Sequence, residues 1–175
     1  MFRRPKPEVP KEEIFDVDIE HGTLIRKTDG SRVVAFRSVG WATLEKELTS
    51  TFITGAAVIL QRMGYSYGRY LGRIAKANNK GPAEALQALQ EFAAESGLGG
   101  LSLNSGDLVS GQARLVLKDC VFCLHIKESS EPICHIYVGL VGGVVDEIIG
   151  RSHRVVEDKC IAKGDAVCAV TVERV

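Results

Sequence analysis

This sequence carries no surplus of charge of either sign. Lys plus Arg and Asp plus Glu both number 22, so the net charge is zero. A general nucleic-acid binder normally shows a basic excess, and no nucleic-acid partner is expected. No apolar run reaches membrane-spanning length and the start has no hydrophobic signal region. No membrane span is therefore expected, and a cytoplasmic location is. Internal repeats and low-complexity segments are missing as well. Gly97-Leu-Gly-Gly100 is not GxGxxG and follows no strand, so it reads as a helix stop rather than a phosphate cradle. Nothing supplies a nicotinamide or flavin fingerprint. Ser152-His153 has no acid at triad-like spacing. These absences weigh against an enzyme.

What is present is ordinary in bulk and specific in one place. The chain has 175 residues, 45% apolar and 25% charged, which suits one soluble domain with a core of its own. Five cysteines, an odd number without a secretion signal, fit a reducing compartment better than a disulfide framework. Cys134, Glu157, Cys160 and Cys168 are the notable group. Thiolates with one carboxylate form a set that tetrahedral zinc accepts. Glu157 and Cys160 stand three apart where a strand runs into a turn, and Gly164-Asp165 marks a reversal. A hairpin there returns Cys168 to the side of Cys160, and Cys134 arrives from the start of a helix over 134–149. The reading is a three-cysteine, one-glutamate site joining a helix to a hairpin. Cys120-Val-Phe-Cys123 offers a second pair, so another pairing of ligands is open. That pair lies in an apolar, half-buried segment, where free cysteine often only fills a core. A closed set of four ligands leaves no position for substrate, so the site is structural. Thiolates would accept iron as well as zinc.

In chain order, 1–12 reads as a flexible arm and 13–37 as a small N-terminal β unit. Phe15, Val17 and Ile19 alternate like a half-buried strand, and Asp29-Gly30 signals a hairpin into Val33-Val34-Ala35-Phe36. From Trp41 to Asn78 the period becomes helical, with Ile53, Ala56, Ala57, Leu60, Met63, Tyr67, Leu71 and Ile74 recurring every three or four residues. Gly64, Gly68 and Gly72 fall four apart, each costing about 1 kcal/mol in a helix interior. Gly139 and Gly143 repeat that spacing. The pattern predicts either close helix packing or a break at Gly64 between helices 43–63 and 66–78. Pro82 opens a further helix. Strands follow at 101–103 and 113–117, then at 152–159 and 167–174. The order β–β–α–α–α–β–β–α–β–β predicts an α+β domain, with helices on one face of an antiparallel sheet.

Cys134, Tyr137, Gly139, Gly143, Gly150, Glu157, Cys160, Gly164, Cys168, Val170 and Val172 together resemble the 4-vinyl reductase domain family. Gly64-Tyr65-Ser66-Tyr67-Gly68-Arg69 resembles that family's helical motif. The resemblance covers roughly residues 40–174, and makes 38–175 a ligand-binding domain. It implies a fold shared with subunits of the TRAPP vesicle tether and, more distantly, haem-based NO sensors. It also implies a structural zinc on Cys134, Glu157, Cys160 and Cys168, and a homodimer. Relatives of this kind serve as sensory parts of NtrC-type activators responding to phenols and alkylbenzenes, where a histidine and a tryptophan orient phenol. The only tryptophan here, Trp41, comes too early to match that position, so phenol itself is not implied.

The expected function is thus a stand-alone, zinc-stabilised domain that binds or senses a small hydrophobic or aromatic molecule. It would signal through a protein partner or its oligomer. Tyr65, Phe122, His125 and Tyr137 are the candidates for the ligand pocket, as aromatic walls and polar groups. A tether or scaffold subunit like those of TRAPP is the alternative, and an accessory protein of tetrapyrrole vinyl-group metabolism the next.

Overall fold

The switch of period ahead of Trp41 coincides with a division of the molecule. The computed structural model describes residues 14–53, 55–78, 80–126 and 128–175. The chain divides into two compact units, Met1–Arg37 and Ser38–Val175. The arm expected at 1–12 lies outside the described residues.

In the first unit, β1 (Phe15–Asp18) pairs antiparallel with β2 (Thr23–Arg26). The turn between them closes on Asp18, whose carboxylate accepts from the His21 amide and meets the His21 ring. Gly22 there has a φ of 60°, a conformation that glycine adopts freely. The hairpin is thus built at His21-Gly22 and not at Asp29-Gly30, which makes a tight turn followed by a single bridge, Ile25 to Arg32. Val33–Phe36 is not a strand. Nor is β1 half-buried as its alternation suggests: Val17 is 62% and Ile19 89% exposed. Two short strands have too little surface to bury an apolar face between them.

The second unit carries α1 (Ser38–Thr51), α2 (Ala56–Ala77), α3 (Pro82–Glu95), β3 (Gly100–Asp107), β4 (Gln112–Lys118), α4 (His135–Ile149), β5 (His153–Lys159) and β6 (Cys168–Arg174). The order of elements is the one the sequence predicts. The strands form one antiparallel sheet in the order β3-β4-β6-β5. Ala113, Leu115 and Leu117 of β4 and Cys168, Val170 and Val172 of β6 point into the core, as period-two alternation requires. There they meet Leu86, Leu89 and Ala93 of α3 and Val138, Val141, Val144 and Val145 of α4. Every residue from Tyr137 to Val145 is buried, which identifies α4 as the central helix. Among the described residues no helix is long and apolar enough to cross a membrane.

The predicted break at Gly64 does not occur. The chain interrupts between α1 and α2, around Gly55, and α2 runs unbroken through all three glycines. Their use is contact. A methyl group at Gly64 would overlap the Ile136 carbonyl oxygen, and one at Gly68 that of Leu140. From the other side, methyls at Gly139 and Gly143 would overlap the carbonyl oxygens of Gln61 and Tyr65. The two helices cross backbone on backbone. The buried face of α2 is accordingly Ala56, Leu60, Gly64, Gly68, Gly72 and Ala75, while Ile53, Met63, Tyr67 and Ile74 of the predicted apolar stripe are exposed.

Candidate metal centre

Three local features bring the donors together. Pro132 and Ile133 lead into α4, and Cys134 occupies its N-cap, where the helix dipole favours a thiolate. On β5, residues three apart would ordinarily face opposite sides of the sheet. A bulge between Glu157 and Lys159 absorbs one residue and carries Cys160 to the same side as Glu157. The chain then makes a 3-10 turn over Ile161–Lys163, and Gly164, with a φ of 98°, ends it. Asp165 fastens this turn by accepting from the Cys160 amide at 2.9 Å. The reversal delivers Cys168 to the start of β6, its sulfur 3.3 Å from the Ile161 amide.

One ligand atom from each of Cys134, Glu157, Cys160 and Cys168 lies within 4.8 Å of the others, and all four residues are buried. A second group, Cys120, Cys123, Cys134 and Cys168, meets the same measure. The sequence leaves Cys120 and Cys123, in an apolar, half-buried segment, open between a second ligand pair and core filler. The segment coils through consecutive turns, Cys123 amide to Cys120 carbonyl and Ile126 amide to Cys123 carbonyl, each at 3.2 Å. Both sulfurs therefore point the same way. Cys120 Sγ lies 3.5 Å from Cys134 Sγ, and Cys123 Sγ lies 3.2 Å from it. The Cys-x-x-Cys spacing was the available signal. All five cysteines are free thiols.

The electrostatics suit a cation. Glu157 accepts the Cys134 amide on Oε2 at 2.9 Å, while Oε1 is buried with no hydrogen-bond partner among the described residues. Burial first, then the neighbouring Cys160, pushes the Glu157 carboxyl up to about 8. Glu45 of α1, which the sequence did not single out, is also buried, with Oε2 unpartnered among the described residues. Burial and then Cys123 and Cys160 raise its carboxyl to about 7. An orphaned carboxylate oxygen beside thiols is a group that a positive ion completes. The sulfur-rich donor set fits zinc or another thiophilic metal.

Next to the donors is a cavity of about 480 Å³, lined by Cys120, Cys123, Leu124, Ile126, Ile161 and Ala162, with Asp119, Glu128 and Lys163 as polar groups. None of the four pocket candidates lines it. Phe122 is buried edge-on against Trp41 with ring centroids 5.8 Å apart. Tyr137 is buried, its hydroxyl without a partner among the described residues. Its ionisation is pushed well up by burial, then by Cys120. His125 is exposed and bonds Ser38 Oγ at 2.9 Å. Tyr65 lies elsewhere, donating to Asp146 at 2.9 Å.

Residues 114–174, which include all five cysteines and Glu157, match the V4R domain family. Two uncharacterized proteins of Methanocaldococcus jannaschii are similar to this chain. One is 27% identical over 109 residues, 62% of each chain, and the other 33% identical over 118 residues, 66% of this chain and 56% of that one. The chain thus spans less than two thirds of the length of these relatives. The fold is shared by the phenol-responsive sensory domain of the transcription activator PoxR, solved with phenol. Its TM-score is 0.75 at 16% identity, over 91% of this chain and 84% of that one. A vinyl-4-reductase family protein from Methanocaldococcus jannaschii gives 0.61 at 16% identity, over 82% and 84%. A trafficking protein particle complex subunit 3 from Naegleria fowleri, covalently bound to palmitic acid, gives 0.53 at 16% identity, over 78% and 93%.

Proposed function

We propose that this chain is a small-molecule sensing domain tied together by one structural zinc ion. The observation that carries the reading is the buried donor cluster, which joins the start of α4 to the β5–β6 turn and adjoins the cavity. Cys134, Glu157, Cys160 and Cys168 hold the ion. With four protein ligands it has no open position, so it supplies folding energy and does not activate water. These residues fix the first turn of α4 relative to the hairpin and, through Cys123 and Ile161, order the cavity wall.

The cavity falls within the roughly 300–1,000 Å³ common for small-molecule sites. Its aliphatic walls suit a hydrophobic or aromatic ligand, with Asp119, Glu128 or Lys163 orienting a polar end. Phe122 and Tyr137 stiffen the region from behind. The likeness to the PoxR sensory domain supports sensing as the role. The protein acts in the reducing cytoplasm, where its thiols stay free.

An exposed stripe on α2, formed by Ile59, Met63, Tyr67, Tyr70 and Ile74, recurs at helical spacing and suits a second copy of the chain, so output passes through a homodimer or a bound partner. Native mass spectrometry with elemental analysis tests the reading on wild type and Cys160→Ala. One zinc per chain, lost in the variant, is expected, together with added mass from a hydrophobic ligand. A well-folded, metal-free wild type would reduce the cluster to core packing and overturn it.

A further inference from the structure

Cys134 and Cys168 belong to both donor groups and Cys160 to the one that holds Glu157; two residues are placed to complete the trio Cys134, Cys160 and Cys168. Glu157 is one, within 4.8 Å of all three. Cys123 is the other. Its sulfur is 3.2 Å from Cys134, 3.4 Å from Cys160 and 3.5 Å from Cys168, while Cys134 and Cys168 are 3.6 Å apart. Thiolates held at about 2.3 Å around a tetrahedral ion stand roughly 3.8 Å from one another. These four separations fall short of that spacing by at most about 0.6 Å. Glu157 meanwhile has its Oε2 engaged by the Cys134 amide.

The two competitors also differ in their surroundings. Cys123 and its neighbour Cys120 line the cavity, and Glu157 does not. A molecule in the cavity therefore touches one of them and not the other.

We infer that Cys123 is an exchange ligand: the ion is held by Cys134, Cys160 and Cys168, and its fourth ligand is either Glu157 or Cys123. The inference rests on the metal reading above and adds a second state to it. In the exchange Glu157 would give up its place on the ion to Cys123, and one proton would pass from the Cys123 thiol to the Glu157 carboxylate. Net charge is unchanged, and no oxidant or reductant takes part. The cavity, by filling or emptying against Cys123, biases the exchange.

The test is X-ray absorption on the full chain loaded with cobalt(II), which counts sulfur ligands per ion, together with metal stoichiometry. Wild type is expected to give one ion with a sulfur count above three. Glu157→Gln, which preserves the acceptor for the Cys134 amide, is expected to keep one ion with four sulfurs. Cys123→Ser is expected to keep one ion with three sulfurs, and the double variant to lose it. A wild-type count of three overturns the inference, as does loss of the ion from Glu157→Gln alone. An unchanged count in Cys123→Ser does the same, and this arm is readable even if Glu157→Gln does not fold. A wild type that takes up no ion at all is a different result, since it removes the metal reading itself.

Discussion

Helix α4 is held in two contrasting ways. Along its side, Gly139 and Gly143 admit the α2 backbone at Gln61 and Tyr65, as Gly64 and Gly68 admit that of α4 at Ile136 and Leu140, and the contact consists of what side chains leave out. At its N-terminus, Cys134 sits in a crowd of five sulfurs and a carboxylate, more donors than one ion uses. The first contact tolerates no addition. The second has a spare part. Precision in this domain thus comes from exclusion along the helix and from redundancy at its end.

The largest effect is expected where exclusion is strictest. Gly139→Val would drive its Cβ into the Gln61 carbonyl and Tyr65 amide, both backbone groups that cannot turn aside, and add two methyls to the crowding. A loss of about 4 kcal/mol, beyond the usual overpacking range, should appear in denaturant unfolding. A well-folded variant of near wild-type stability would show that the helices can separate freely.

The crowded end should answer to pH. In the metal-free protein, the Glu45 carboxyl is raised from its ordinary 4.5 to about 7 by burial and the facing thiols. A raised acid favours the folded state when protonated, so its contribution is complete below about 4.5 and is lost as pH climbs through about 7. Glu45 should account for up to about 3 kcal/mol of the wild-type loss over that window, and Glu45→Gln should lose measurably less. Parallel pH profiles would refute the role given to Glu45.

Smaller changes sharpen the comparison at the flank of the crossing. Asp146 of α4 accepts Tyr65 on one oxygen and both the amide and ring of His153 on the other. Tyr65→Phe removes only the first bond, and about 1 kcal/mol should be lost. Gly142 is the control for its neighbours. A methyl there would meet Val155 and Tyr65 at 3.5 and 3.7 Å, ordinary contact. Gly142→Ala should therefore gain about 0.5–1 kcal/mol from helix propensity and a less flexible unfolded chain. A loss would mean the exclusion extends around the whole helix.

The sequence carried the order of elements because each long segment has one clear period, and the four-spaced glycines of α2 and α4 announced their contact. It did not say which face of α2 is buried. Apolar content pointed to Met63, Tyr67 and Ile74, but the smallest residues won, because only they admit a neighbouring backbone. Glu157, Cys160 and Cys168 were legible as neighbours from the chain reversal, and Cys134 joined them from the start of a helix and from the family resemblance. Cys120 and Cys123 were legible only as a possible second pair, since Val121 and Phe122 suit a strand and a buried turn equally. Glu45 gave no signal at all, as one carboxylate among Lys46 and Glu47 reads as solvated surface until tertiary packing buries it. In the N-terminal unit two turn signals, His21-Gly22 and Asp29-Gly30, competed, and local residues do not rank them.

The glycine crossing also has a mechanical meaning. A contact without side chains has no rotamers to rearrange, so α2 and α4 can neither repack nor slide by a residue without driving a side chain into a carbonyl. They move as one stiff lever. A small displacement at the first turn of α4, where the thiols gather, is delivered to the exposed outer stripe of α2 as rotation of a rigid body, with nothing soft between to absorb it.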